Sequence, residues 1–202
     1  MRQRAGGCTP GHAALTISLH CGILYVTMAD EQVKAEEVGA QLYEFLRREV
    51  VGDGILSMDR LADTLLRCET PLGEQREGEI IIGCMFAAVL AIEELVPAML
   101  RERVRTGLDG EFISHLREQG ADDEHVVEWR TILGEHFVDY YRSVEGHIGP
   151  ALPDALGKEF LWNLTGVEEE ALAPVEVVTS YLAAARAISR RFVRELITVI
   201  PR

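Results

Sequence analysis

A chain of 202 residues is long enough for one domain with a sizeable core, and 48% apolar with 26% charged residues is a globular balance, neither disordered nor membrane-embedded. The formal net charge is −13; residues 1–27 contribute Arg2 and Arg4 and no acid, so removing those two charges leaves −15 from Met28 onward. Such a field repels phosphate backbones and anionic membrane surfaces, which disfavours nucleic acid and membranes as partners and favours metals, basic peptides or proteins.

Residues 1–27, "MRQRAGGCTPGHAALTISLHCGILYVT", differ from everything that follows. As a signal peptide they offer Arg2 and Arg4, an apolar run from Ala13 to Val26 and small residues at Thr27 and Ala29, with His20 interrupting the run. The favoured alternative is a disordered or non-native extension, since "MADEQ" at Met28 opens an acidic helix directly; a docked strand or helix is the third reading. The domain expected is therefore 28–202. Cys8, Cys21, Cys68 and Cys84 form no C-x-x-C pair and are too sparse for a disulfide framework, which fits a reducing cytoplasm. The run from Ile80 to Ile92 is too short to span a bilayer and is followed by Glu93, Glu94 and Pro97.

From Met28 onward apolar residues recur at helical spacing, and no alternating run bounded by hairpin turns occurs. The pattern predicts an all-α fold, a single compact bundle of about seven helices around a central apolar helix near 79–100. A first helix over 29–50 carries Val38, Leu42, Phe45 and Leu46 on one face and stops before "GDG" at 52–54. Ser57 is the expected N-cap of a short helix presenting Met58, Leu61, Leu65 and Leu66.

"SMDRLADTLL" at 57–66 resembles the start of the helix-turn-helix in TetR-type regulators, all-helical chains of similar length. The resemblance implies a one-component transcriptional regulator with a basic recognition helix next; instead "RCETPLGEQREGE" follows, and 28–78 is net acidic. That stretch reads as a polar loop around Pro71 and Gly73. The helix after it is apolar nearly all round, holds Cys84 as a core thiol, and is kinked or ended by Pro97.

A short helix near 110–119 stops at Gly120, and "DEHVVEWRTILGEHFVDYYRSVEGH" at 123–147 forms the next, started by Asp122 and Asp123 and stopped by Gly149 and Pro150. Its His125, His136 and His147 are each eleven residues apart, a step that returns to within about 20° of the same face, at the border of the Val126, Leu133, Phe137, Tyr140 and Val144 stripe. Glu128 and Asp139 stand one turn after His125 and His136, so His125, Glu128, His136 and Asp139 are the candidate ligands for a transition metal or haem. Successive histidines lie about 16 Å apart along the axis, too far to share one ion, so any site needs ligands from another helix. The default expectation is no cofactor and no catalytic residue, because no phosphate loop, G-x-G-x-x-G, H-E-x-x-H or G-x-S-x-G occurs.

"EHVVEW" at 124–129 is similar to a stretch of the TorD-type chaperones, acidic all-helical proteins that bind signal peptides, although their Pro-Asp-His motif is missing here. Arg142 to His147 and Arg130 to His136 are spaced similarly to the Arg and His motif of HEPN ribonucleases, with Thr131 and Ser143 where that family has a stronger polar residue, so no role carries over.

"LPDALGKEFLWNL" predicts a further short helix, and "TGVE" at 165–168 has capping-box spacing. Pro174 sits in the first turn of a last long helix with a Val178, Leu182, Ala185, Ile188, Phe192, Leu196 stripe. On that helix Arg186, Arg190 and Arg194 recur every four residues beside Arg191, the one basic patch of the chain, suited to an anionic ligand or partner or to an acidic helix of the same protein. The expected function is accordingly non-catalytic: a regulatory, accessory or chaperone-like bundle that binds a protein or peptide, with a homodimer left open.

Overall fold

A computed structural model of the chain describes residues 28–70, 72, 76–147, 151–166 and 172–197. The N-terminal 27 residues, Pro71 and Gly73 of the expected polar loop, Gly149 and Pro150, and half of the expected 165–168 capping box lie outside them. The described residues form seven helices and no strand: α1 (Met28–Val51), α2 (Met58–Arg67), α3 (Arg76–Leu95), α4 (Ala98–Glu118), α5 (Asp123–Val144), α6 (Ala151–Thr165) and α7 (Leu172–Ile197). No helix among them is long and apolar enough to cross a membrane.

Helix α3 is the axis of the bundle because it has no polar face to give to solvent: 13 of its 20 residues are buried. It packs against α1, α4, α5, α6 and α7. Phe86, fully buried at its middle, meets Phe137, Tyr140 and Tyr141 of α5 at centroid distances of 5.5, 5.0 and 4.9 Å. Burying an aromatic side chain of this kind contributes about 1.5–3 kcal/mol. Cys84 is fully buried beside Tyr181 of α7, whose hydroxyl donates to the Leu56 carbonyl at 2.7 Å and so ties the α1–α2 connection to the core.

The central helix stops earlier than its apolar run suggests. Pro97, which lacks an N–H, follows Val96, and 98–100 open α4 instead of closing α3. Helix α4 is correspondingly much longer than the expected 110–119 segment. It buries only a narrow stripe, Val104, Leu108, Phe112 and Ile113, and packs mainly on α1. The two helices cross where each has a glycine: a Cβ on Gly39 would run into the Val104 carbonyl, and one on Gly107 into that of Glu36.

Two other local expectations change. Ser57 precedes α2 but its side chain caps nothing. Asp122 does cap α5, accepting from the His125 N–H at 3.0 Å. Helix α5 ends at Val144, so His147 lies beyond it and the three histidines do not share one helix. The α7 stripe forms as expected, with Val178, Leu182 and Ala185 buried and Ile188, Phe192 and Leu196 packed on the core.

Candidate functional site

Helices α3, α6 and α7 form a cavity of about 150 Å³ that is open to solvent on one side. Its walls are small and aliphatic because α6 and α7 approach closely: a Cβ on Gly157 would overlap the Thr179 hydroxyl, which itself reaches the Pro153 carbonyl at 3.4 Å. Ala87 and Leu90 of α3, Leu156 of α6 and Leu182 and Ala183 of α7 supply much of the apolar lining, the Thr179 hydroxyl adds a polar atom, and Arg186 and Arg190 stand at its charged side.

Those two arginines sit one turn apart on α7, so their side chains leave the same face. Both reach Glu94 at the end of α3: Arg186 Nη2 lies 3.3 Å from Oε2 and Arg190 Nη2 2.6 Å from Oε1. One carboxylate thus holds two guanidiniums, each more than a third exposed, which makes the ion pairs weak contributors to stability. The geometry does more than the energy. The Nε atoms of Arg186 and Arg190 are hidden from solvent and have no hydrogen-bond partner. Closed to solvent, those atoms are closed to the cavity too; what the two arginines offer there is their charge and the Nη groups that Glu94 does not engage. Arg194 stands one further turn along and is exposed, outside the cavity lining; Arg191 pairs with Glu195 at 3.1 Å.

The histidine residues separate. His125 is exposed, and its ring Nδ1 meets Asp122 at 2.9 Å rather than Glu128; the Asp122 hydrogen bond raises its pKa. Asp139 pairs with Arg142 at 3.3 Å. His136 finds the partner from another helix that it requires, since its Nε2 lies 3.3 Å from Glu79 Oε1 in α3, and both side chains are largely buried. Burial alone lowers the His136 pKa, but the Glu79 hydrogen bond and charge, with Asp139 and Glu135 adding, carry it above the ordinary value. The surroundings stay polar: Glu79 Oε2, His136 Nδ1, the Tyr140 hydroxyl and Asn163 Nδ2 are all buried without a well-formed hydrogen bond, although Tyr140 faces Asn163. Burial, then the Asp139 charge, pushes the Glu159 carboxyl up, with His136 opposing. Among the described residues no three His, Cys, Asp or Glu side chains are grouped so as to hold a metal ion. His125, Glu128, His136 and Asp139 do not converge.

Glu93, the residue beside the arginine clamp, takes a different place. It accepts from the Tyr141 hydroxyl at 2.5 Å and faces Arg105 at 4.0 Å. From there an open trough of about 590 Å³ runs between α4 and α5 past Asp109, Ile113, Arg130 and Phe137, and burial raises the Asp109 pKa against the pull of Arg105. A second open trough lies between α2 and α7. Among the described residues, helix α2 is followed by the largely buried α3 and not by an exposed recognition helix. Glu94 stood out in the sequence only as a carboxylate closing an apolar run, and Glu79 had no local signal at all, because each acts on residues far away in the chain. Compared with protein-family models, curated proteins and solved structures, the chain shows no match to any of the three.

Proposed function

We propose that the chain works by binding, as a regulatory or accessory bundle of the cytoplasm that receives a protein or peptide partner on the arginine face of α7. The observation that carries this reading is the clamp of Arg186 and Arg190 on Glu94 at the edge of an apolar cavity. In a chain of net charge −13 it is a local positive patch beside apolar surface, and its guanidiniums are held in place before a partner arrives. Cys68 and Cys84 are free thiols, which suits a reducing compartment.

Fluorescence anisotropy of the full chain against labelled acidic, basic and neutral peptides tests it. Neutral peptides ending in a free carboxylate are expected to bind saturably, more tightly than their C-terminal amides, and to lose at least tenfold in affinity with Arg186→Met and Arg190→Met. Binding to none of the peptides, or binding indifferent to both substitutions, would overturn the reading.

A further inference from the structure

The cavity and its two arginines point to one chemical class of occupant. The volume, about 150 Å³, is that of a cavity able to hold a benzene-sized body. Apart from Thr179, whose hydroxyl donates to the Pro153 carbonyl, the lining is aliphatic, so recognition of charge falls to Arg186 and Arg190. Each spends one Nη on Glu94 and keeps the other for a ligand. Two positive charges against one carboxylate leave a single positive charge uncompensated. A monoanion closes that balance, whereas a dianion would face Glu94 and a strongly acidic chain. A planar carboxylate takes two N–H donors side by side, one for each oxygen.

We infer that the α3–α6–α7 cavity binds a monocarboxylate carrying a compact apolar group, with the apolar body against Leu90, Leu156 and Leu182 and the carboxylate between Arg186 and Arg190. This deepens the binding function proposed above and rests on the same arginine face. The chemistry is shared by two sources, a peptide ending in an apolar residue and a small free acid. Glu94 keeps the guanidiniums in register, and the ligand carboxylate takes the Nη groups that Glu94 leaves free.

The test is isothermal titration of the full chain with N-acetyl-leucine, hexanoate and benzoate, each beside its uncharged counterpart, N-acetyl-leucinamide, hexanol and benzyl alcohol. At least one acid is expected to bind at least tenfold more tightly than its neutral counterpart. That binding should be lost in Arg186→Met and in Arg190→Met. It should also be lost in Ala183→Leu, which fills the cavity from an exposed position of α7 and should leave the unfolding midpoint unchanged. Tighter binding of N-acetyl-leucine assigns the site to a peptide terminus, and tighter binding of hexanoate or benzoate assigns it to a free acid; either supports the inference. No acid binding at millimolar concentration, or acid binding unaffected by Ala183→Leu, overturns it. If peptides still bind the wild-type chain and lose affinity in the arginine variants, the inference fails alone; if that dependence is absent too, the wider reading fails with it.

Discussion

Glu79 of α3 and His136 of α5 face each other at 3.3 Å inside the bundle, and the second oxygen of the carboxylate and the second nitrogen of the imidazole are both buried without partners. The pair is a charge-assisted contact in surroundings that hold several other unsatisfied polar atoms, so removing one member leaves the other exposed to the full cost of burial. The folded pKa of His136 lies above its ordinary value, so the protonated form is the one folding favours. Its contribution is complete below the unfolded pKa and is lost as pH rises through the folded one. Glu79→Gln is expected to lower the His136 midpoint in an NMR titration and to cost about 2 kcal/mol near pH 6, shrinking towards pH 8. An unchanged midpoint would mean that the two side chains do not interact in solution.

The crossing of α1 and α4 predicts opposite outcomes for two glycines. Gly39→Ala forces a methyl group into the Val104 carbonyl and is expected to destabilise by about 1–3 kcal/mol in urea denaturation. Gly134→Ala meets nothing within 4 Å on an exposed face of α5 and is expected to stabilise by about 0.5–1 kcal/mol. Equal effects at both positions would contradict the close approach of the two helices.

Cys84 is fully buried, and burial pushes its thiol up to about 12. It should resist alkylation by iodoacetamide in the native state while half-buried Cys68 is modified, and should react once the chain is unfolded. Rapid native labelling of Cys84 would place α3 away from the centre of the core.

The four candidate ligands are split between an exposed cap contact at His125, the Glu79 contact at His136 and the Arg142 contact at Asp139. Untagged protein is therefore expected to carry no stoichiometric transition metal by elemental analysis and no haem band in its absorption spectrum. Stoichiometric metal retained by the wild type and lost in His136→Gln would reverse that expectation.

The all-α class, the buried α3 and the stripe of α7 were legible because each depends on spacing within one helix. Helix α4 was not, because arginines 101, 103 and 105 and the glycines at 107 and 110 interrupt its narrow apolar stripe. The site was legible by halves. Arg186, Arg190 and His136 stood out from their neighbours in the chain, but Glu94 is 92 residues from Arg186, and Glu79 is on a different helix from His136. Such pairings are set by how helices pack, which no local spacing records. His147 misled for the opposite reason: its eleven-residue step is exact, but the helix ends before it.

Chemical-shift mapping on the uniformly labelled full chain, titrated with the tightest peptide from the anisotropy panel, tests the central claim most directly. The largest changes are expected at residues 183–190 of α7 and 87–94 of α3, around the clamp on Glu94. Changes centred instead on the α4–α5 trough, with Arg186 and Arg190 unmoved, would contradict it.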